Sequence, residues 1–331
     1  MILYPWLIPA YKKLVFQYTN NKLHHTILVN TIKGIGIFNL IWKFSKWLLC
    51  LNKKNEENCE ICYGCNLMKS LNHPDWYFLK PKKDKKTIDV ETLRILNEKF
   101  FKSAQQGKIK IICFSNTEFL NEYGINVLLK ILEEPPKNTF FLLINFNFFK
   151  IPLTLKSRCF LLNIYAPSEK DSLIWFKEKN FVINETHFLT SLKISENAPL
   201  MAIKLITSKL WTERINFYEK LMYFIEKKKI ISLLPYLVGK NIFFKINWIC
   251  LILLDAMKWK FHITESISNL DMINIIKIIS SKYSYYTLDK SLRLWIKSRF
   301  YLLNILNINQ ELLISKKLLN WQFFLNTNKF K

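Results

Sequence analysis

Arginine and glycine are scarce in this chain of 331 residues. Of its 49 basic residues only five are arginine, and it contains only six glycines. The 25 acidic residues leave a formal net charge of +24. Lysine is scattered along the whole chain beside abundant asparagine, isoleucine and phenylalanine, the usage expected of an AT-rich coding sequence. The positive charge therefore has two possible explanations, compositional drift or a basic surface that binds nucleic acid. Because arginine and glycine are scarce, each one that is present is a stronger indication of a specific structural or functional role.

Long uninterrupted apolar runs are also missing. The N-terminal segment MILYPWLIPAYKK has no basic residue before its apolar part and is broken by Pro5 and Pro9, which is not typical of a signal peptide. The most apolar helical stretch, INWICLILLDAMKW, contains Asp255 and is shorter than the ~20 residues that a bilayer requires. Because 50% of the residues are hydrophobic, the composition predicts a folded, soluble, cytoplasmic protein without a membrane partner.

In the first half of the chain, strand patterns alternate with helix patterns. Strands are predicted at residues 25–30, 76–79, 110–114, 140–145 and 160–164, and helices at 35–49, at 90–102 with Asp89 as the N-cap, and at 122–132. This alternation predicts an α/β domain over residues 1–165, with a parallel sheet covered by helices on both faces. The strand pattern then ends, and we expect short helices over residues 166–207 and longer amphipathic helices over 208–331.

Four of the seven cysteines lie close together in LLCLNKKNEENCEICYGC. Cys50, Cys59, Cys62 and Cys65 have the spacing C-x8-C-x2-C-x2-C, which suits four thiolates around one tetrahedral zinc ion. Four protein ligands leave no position for water, so the pattern predicts a structural zinc module over residues 50–65. An alternative is that His73 completes the site and Cys50 is a buried core thiol. Gly64 is expected to permit the backbone reversal of the knuckle.

The stretch LVNTIKGIGIFNLIW looks like a phosphate-binding loop between a strand and a helix. Gly34 and Gly36 supply the glycines, whereas Thr31 stands at the first glycine position. A working loop of this type needs a lysine for the outer phosphates and a hydroxyl for magnesium, and Ile37 and Phe38 occupy those two places. We therefore expect a degenerate loop that does not bind ATP, although the glycine pattern alone also fits an ordinary strand-to-helix turn.

A second strand end also lacks the expected chemistry. ATPases of this type hold magnesium with an acidic pair at the end of another strand, but the strand in KIICFSNTEFL ends in Ser115 and Asn116. Neither side chain supplies a carboxylate. Both halves of the expected ATP site are replaced, so the sequence predicts that this chain does not hydrolyse ATP by itself.

The run INVLLKILEEPPKNTFFLLINFNFFKIPLTLKSRC resembles the signature of bacterial clamp-loader subunits, which are AAA+ proteins. With YPWL, HHTILV, HPD, INQELLI and the cysteine knuckle, the resemblance is to the delta-prime family of DNA polymerase III, whose members do not hydrolyse ATP. It implies a RecA-like AAA+ domain with a zinc-binding insertion, a small helical lid over residues 166–207 and an all-helical C-terminal collar over 208–331.

The resemblance also implies partners and roles. The collar would join this subunit to the delta subunit and the gamma/tau ATPase subunits in a hetero-pentameric ring that loads the sliding clamp onto primed DNA. Arg158 would be an arginine finger that acts in trans on the neighbouring ATP site; the alternative is a surface salt bridge. Asn145 would occupy the sensor position of the unused site, and Leu200 stands where active relatives have arginine.

Two other functions remain open at this stage. One is a stand-alone AAA+ ATPase with an atypical phosphate loop, and the other is a zinc-bearing, basic nucleic-acid-binding protein. Glu133 and Glu134 end a helix where carboxylates oppose the helix dipole, so a cationic partner or a solvated helix end is expected there. Cys113 and Cys250 are interpreted as core residues.

Overall fold

The computed structural model describes residues 1–81, 87–89, 100–106, 108–305 and 307–327. Two compact units are present. The first contains Met1–Lys179 together with Ala198–Leu200, and the second contains Asn180–Asn197 and the described residues from Met201 onward. The three-part division into residues 1–165, 166–207 and 208–331 stays a prediction. No helix in the described part of the chain is both long and apolar enough to cross a membrane.

The first unit contains a five-stranded sheet in which every pairing is parallel. Its strands are β1 (Thr26–Asn30), β2 (Trp76–Leu79), β3 (Lys110–Phe114), β4 (Thr139–Asn145) and β5 (Phe160–Asn163). The spatial order is β2-β3-β4-β1-β5. The prediction of five strands is confirmed, with ends that differ by at most one residue. A parallel sheet needs crossover helices, and these cover its faces.

Helices lie between these strands and on either side of the sheet. They are α1 (Ile8–Thr19), α2 (Ile37–Leu48), α3 (Tyr63–Lys69), α4 (Glu122–Glu133), α5 (Leu153–Lys156) and α6 (Glu169–Glu178). Asn121 caps α4 by accepting the backbone N–H of Gly124, and Ser168 caps α6 in the same way. Most of the helix predicted at 90–102, including its start next to Asp89, lies outside the described residues.

Successive side chains of β1 point to opposite faces of the sheet and pack in two separate hydrophobic cores. Ile27 and Val29 belong to the core that contains α1 and α2, whereas Leu28 packs with the core that contains α4. A strand that is buried on both faces reads as a continuous apolar run, which is how β1 appears in the sequence. The sheet therefore positions the loop after β1 between two well-packed layers.

Helices are the only regular secondary structure in the described residues of the second unit. Its helices are α7 (Glu185–Ile194), the greater part of α8 (Pro199–Ile206), α9 (Lys209–Glu226), α10 (Leu234–Leu237), α11 (Ile242–Lys260), α12 (Ile273–Lys282), α13 (Tyr285–Asn304) and α14 (Gln310–Thr327). Trp248, Trp295 and Trp321 are almost completely buried in its core. The all-helical second half that the sequence predicts is confirmed.

Candidate functional site

The loop between β1 and α2 keeps the two glycines of a phosphate-binding loop in the conformations that only glycine adopts easily. Gly34 and Gly36 have φ values of 90° and 83°. Gly36 is the residue before α2, so the loop leads directly into the helix N-terminus. The backbone is therefore that of a strand–loop–helix turn of the expected type.

Aromatic side chains of the N-terminal segment pack against this loop. A Cβ atom on Gly36 would lie 2.3 Å from the ring of Tyr4, so the ring approaches the backbone as closely as glycine allows. Tyr4 stacks on Trp6 with a centroid distance of 5.1 Å, and Trp175 contacts both rings edge-on. The indole N–H of Trp6 donates to the carbonyl of Ile35 at 2.8 Å. The loop is thus covered by aromatic packing.

Leu200 also contacts the loop directly. Its backbone N–H donates to the carbonyl of Gly34 at 3.1 Å, and its Cδ1 lies 3.3 Å from the position that a Cβ on Gly36 would occupy. Leu200, which the resemblance places at the position of an arginine in active relatives, is therefore an apolar packing residue. It brings no charge to the loop.

Ile37 and Phe38 occupy the positions expected for the lysine and the hydroxyl. Ile37 belongs to the hydrophobic core, and Phe38 is partly buried and packs against that core. Ile37 is only 6% exposed. The ring of Phe38 meets that of Phe78 edge-on at 4.9 Å. Thr31 is buried as well, and its backbone N–H donates to the carbonyl of Asn145. The substituted positions thus contribute to packing and leave nothing to reach a phosphate.

Neutral amides join the carboxyl ends of three strands. Thr117 Oγ1 donates to Asn145 Oδ1 at 2.9 Å, Asn145 Nδ2 donates to Asn30 Oδ1 at 3.1 Å, and Asn30 Nδ2 donates to Asn163 Oδ1 at 3.2 Å. Asn145, which the resemblance places at the sensor position, is thus hydrogen-bonded to neighbouring side chains. None of these side chains carries a charge that could hold magnesium.

Ser115 and Asn116 follow β3, at the strand end where an ATPase would carry its carboxylates. Asn116 is 2% exposed and caps a short 3₁₀ turn by accepting the N–H of Glu118 at 3.2 Å. Ser115 Oγ is buried without a hydrogen-bond partner in the described part of the chain. Both side chains are therefore enclosed by the protein, and neither of them offers a charged group to a metal ion.

Arg158 follows α5 and is held in a fixed orientation. Its Nη2 donates to Glu133 Oε1 at 2.6 Å, and its Nη1 donates to the carbonyl of Thr154 at 3.1 Å. The side chain is 36% exposed. Of the environments considered for Glu133 at the end of α4, the structure shows a cationic partner, Arg158. This salt bridge is also what a purely structural arginine would form.

The four cysteines of the predicted module lie together. Their sulfur atoms all lie within 4.8 Å of one another, and the group could hold a metal ion. The Sγ atom of Cys50 lies 3.5 Å from that of Cys59 and 3.9 Å from that of Cys62. Four sulfurs at 2.3 Å from a tetrahedral zinc ion would be separated by about 3.8 Å. The donor set and the spacing therefore fit this metal.

Backbone N–H groups point at the sulfurs of the knuckle. The N–H of Cys59 donates to Cys50 Sγ at 3.3 Å, that of Cys62 to Cys59 Sγ at 3.3 Å, and that of Cys65 to Cys62 Sγ at 3.4 Å. The N–H groups of Cys62 and Ile61 lower the pKa of the Cys59 thiol to about 6. Such donors stabilise thiolates, which is the form that binds a metal.

Burial has the opposite effect on the inner two thiols. It raises the pKa of Cys65 to about 12, and it also raises the pKa of Cys50. In these surroundings the two thiols would be protonated at neutral pH unless a cation were bound. A metal ion supplies that positive charge, so metal binding and proton release would be linked at this site.

The structure distinguishes between the two ligand sets that the sequence left open, and it corrects the role expected for Gly64. His73 is not a member of the cysteine group; its Nδ1 accepts the N–H of Asp75 at 3.1 Å. Cys50 is therefore the fourth member. Gly64 has no positive φ, so the expectation that it provides a backbone reversal is wrong. A Cβ there would lie 2.7 Å from the carbonyl oxygen of Leu49, so close approach is what requires glycine.

A polar network around the knuckle was not anticipated from the sequence. Lys46 Nζ in α2 donates to Glu60 Oε2 at 2.6 Å although the lysine side chain is 2% exposed. Asn58 Nδ2 donates to Glu60 Oε1 at 2.9 Å and to Cys65 Sγ at 3.5 Å. The contact with Lys46, followed by that with Asn58, lowers the pKa of Glu60 to about 2.

The second unit also contains a buried ionic network that sequence reasoning missed. Arg214 is fully buried and makes bidentate hydrogen bonds to Asp271 at 2.7 and 2.9 Å and a third to Asn269 Oδ1 at 2.6 Å. Asp255 accepts the backbone N–H and the Nδ2 of Asn269. The scarcity of arginine was the signal that could have identified Arg214.

The strand order, the glycine loop after β1 and the polar strand ends around it define a protein of the AAA+ class. Sequence comparison specifies the family. The family described as "DNA polymerase III, delta subunit" matches residues 8–168, and "DNA polymerase III, delta subunit, C terminal" matches residues 208–322. With the relatives described next, these matches show that the chain belongs to the delta-prime subunit family of the DNA polymerase III clamp loader.

Relatives align over nearly their whole length. DNA polymerase III subunit delta' of Buchnera aphidicola subsp. Schizaphis graminum is 46% identical over 319 residues, covering 96% of this chain and 97% of the relative. The Escherichia coli K12 subunit delta' is 31% identical over 322 residues, covering 97% of this chain and 96% of the relative. A solved gamma subunit-related protein from Thermotoga maritima is 17% identical with a TM-score of 0.48, covering 96% of this chain and 99% of that one. The family assignment rests on the sequence relatives alone.

Proposed function

We propose that this chain is the non-hydrolysing subunit of the DNA polymerase III clamp loader, a cytoplasmic complex that loads the sliding clamp onto primed DNA. The observation that carries the proposal is the replacement of the phosphate-binding lysine and hydroxyl by Ile37 and Phe38, both packed in apolar surroundings. The neutral strand ends and the aromatic cover over Gly36 support it. The subunit binds no ATP and acts as a rigid member of the ring.

The partners in this proposal are the gamma/tau ATPase subunits and the delta subunit, in a hetero-pentameric ring. Arg158 is lent in trans to the ATP site of a neighbouring subunit. Its position on the surface and its two hydrogen bonds, to Glu133 and to the carbonyl of Thr154, support this role, because a guanidinium fixed beforehand loses little freedom on binding phosphate. The guanidinium would exchange Glu133 for the γ-phosphate.

The metal in this proposal is a structural zinc ion bound by Cys50, Cys59, Cys62 and Cys65. The mutual distances and the N–H donors aimed at the sulfurs support it. Bound there, zinc would supply a cross-link between the end of α2 and the start of α3. The loop between Cys50 and Cys59 is fastened separately, because Tyr11 and Trp47 donate side-chain hydrogen bonds to the carbonyls of Glu56 and Asn55.

Arg158→Ala tests the proposal in the assembled complex. We expect ATP turnover of the reconstituted ring to fall by roughly 10³-fold or more at the site served by this arginine, because arginine fingers typically contribute 10³–10⁵ in rate. Arg158→Lys should recover little, since lysine cannot make the planar bidentate contact. Single-turnover hydrolysis at saturating ATP measures the effect.

The matched control is Lys12→Ala, which removes one exposed positive charge from α1 of the same unit. It should leave turnover unchanged. If Arg158→Ala leaves the single-turnover rate of a fully assembled ring unaltered, Arg158 is not an arginine finger. ATP hydrolysis by the isolated chain would favour the stand-alone ATPase instead, and tight, salt-sensitive binding of duplex DNA by the chain alone would favour the nucleic-acid-binding alternative.

A further inference from the structure

Besides the four cysteines, three polar side chains converge on the knuckle, and their contacts form one continuous path. Lys46, from α2, donates to one carboxylate oxygen of Glu60, and Asn58 donates to the other. The remaining N–H of the Asn58 amide is directed at Cys65 Sγ, at 3.5 Å. A single amide group thus connects a carboxylate to a candidate metal ligand. We call these three residues the Lys46–Glu60–Asn58 network.

Two members of the network, Lys46 and Asn58, are buried, whereas Glu60 is half exposed. The Lys46 side chain is 2% exposed, whereas lysine is almost never fully buried unless it is paired. Asn58 is 6% exposed, and its amide uses both hydrogens, one for Glu60 and one for Cys65. Only the lysine of this ion pair loses its hydration, because the Glu60 side chain is 50% exposed. A half-exposed carboxylate compensates such desolvation only in part, so the buried lysine calls for another role.

Glu60 is held against its own backbone preference. Its φ of 64° lies in the left-handed region, which is uncommon for a residue with a side chain. Lys69 in α3 fixes it further, by donating to its carbonyl at 2.8 Å and pairing with its carboxylate at 3.1 Å. The carboxylate therefore sits between α2 and α3, the two helices that carry Cys50 just beyond the end of one and Cys65 within the other.

The charges of the network can balance the charge of a metal centre. Four thiolates around a zinc ion carry a net charge of about −2, and a bare carboxylate one residue away from Cys59 would repel them. The ammonium groups of Lys46 and Lys69 outweigh the single charge of Glu60 and leave a local excess of positive charge. The network thus brings a hydrogen-bond donor to Cys65 together with compensating charge.

We propose that Lys46, Glu60 and Asn58 are positioning residues for the metal: Glu60 orients the Asn58 amide that holds Cys65 in its ligand geometry, and Lys46 supplies positive charge that compensates the four thiolates. This inference rests on the proposed zinc centre. It predicts that metal affinity depends on Lys46, a residue that lies in the helix following the phosphate-type loop and is not itself a ligand. Partners of this kind, one contact beyond the ligands, are typically worth 10–100-fold in metal affinity.

The test compares zinc affinity of the full chain and three variants by competition with a chromogenic chelator. Asn58→Ala and Lys46→Met should each weaken zinc binding by roughly 10–100-fold. Glu60→Gln should weaken it less, because it loosens the contact with Asn58 but also removes a charge that repels the thiolates. Lys43→Met is the matched control, because Lys43 lies in the same helix and takes no part in the network. It should bind zinc as the unaltered chain does.

A second readout separates positioning from general stability. With cobalt in place of zinc, the sulfur-to-metal charge-transfer bands report the thiolate geometry, and Asn58→Ala should shift them while Lys43→Met should not. Circular dichroism of each variant confirms that it is folded. Because the double substitution Lys46→Met/Glu60→Gln removes both partners, it should cost less than the sum of the single changes.

The outcomes distinguish the inference from the zinc proposal. If the unaltered chain takes up neither zinc nor cobalt, the metal assignment itself is wrong. If the unaltered chain binds zinc and all three variants match it within about threefold, with unshifted cobalt bands, the network has no positioning role and the four cysteines alone make the site.

Discussion

Gly64 belongs to the first turn of α3 and lies against the backbone carbonyl of Leu49. The same small region contains Cys62, Cys65 and the ring of His73, whose Nε2 is 3.6 Å from the position of an added Cβ. A glycine in a metal knuckle suggests a turn when only the sequence is known. The structure shows that the missing side chain is what allows the end of α2 and the start of α3 to approach each other.

Gly64→Ala should therefore destabilise the first unit. The added Cβ would lie 2.7 Å from a backbone oxygen, and a backbone cannot move aside as a flexible side chain does. We expect a loss of about 1–3 kcal/mol in unfolding free energy and weaker metal binding, measured by chemical denaturation and chelator competition.

Gly239→Ala is the contrasting variant at this scale. Its Cβ would meet nothing within 4 Å, although its φ of 106° makes any side chain strained. It should lower stability through backbone strain alone and leave metal binding untouched. Equal metal affinity for the unaltered chain and Gly64→Ala would contradict the close-approach account.

The helices and strands of this chain were predictable to different degrees. β2 and β3 match the sequence-based bounds, because apolar runs of this length between turn residues have few other structures. For residues 208–331 the sequence predicted long helices without their bounds, and it did not distinguish α12 or the short α10. The end of α13 at Asn304 and the start of α14 at Gln310 were not predicted either, because helical periodicity alone gives no stop signal.

The residues of the site could be predicted where they lie close together in the sequence. They could not be predicted where only the fold brings them together. The four cysteines come from one short stretch, so their grouping follows from the sequence. Lys46 is one of 44 lysines, being the 49 basic residues less five arginines, and nothing in the sequence sets it apart. Its partner Glu60 is 14 residues away. Only folding makes it a neighbour of the knuckle.

Arg214 gives a prediction at the scale of packed helices. It projects from α9 and is fully buried against Asp271 and Asn269. Arg214→Met would leave Asp271 buried without its cation, and breaking such a pair typically costs 3–5 kcal/mol. We expect a loss of about that size in the urea unfolding of the second unit.

Arg293 provides the matched control. It pairs with Asp289 at 2.8 Å on the surface of α13, with the arginine side chain 71% exposed. Arg293→Met should change the unfolding free energy by less than about 0.5 kcal/mol, since exposed helix pairs contribute little. Similar losses from both substitutions would mean that burial does not govern the contribution of these arginines.

For the whole molecule, a large positive charge and an incomplete nucleotide site occur in one chain. The net charge of +24 suggests nucleic acid, yet the family relation and the site describe a subunit whose known relatives belong to DNA polymerase III. The first unit has the sheet and the glycine loop of an AAA+ protein. Apolar side chains occupy the two positions where a phosphate-binding loop would carry its lysine and hydroxyl. Our account is that the fold is kept as a rigid frame that presents Arg158.

Calorimetric titration of the isolated chain with Mg·ATP tests this account most directly. Two lost charge-assisted contacts of about 1.5–3 kcal/mol each predict affinity roughly 10²–10⁴-fold below that of a lysine-bearing clamp-loader ATPase titrated in parallel. We therefore expect no saturable heat up to about 1 mM nucleotide. Saturable binding at micromolar ATP, abolished by Gly36→Ala, would show that the loop still binds a triphosphate and would contradict the account.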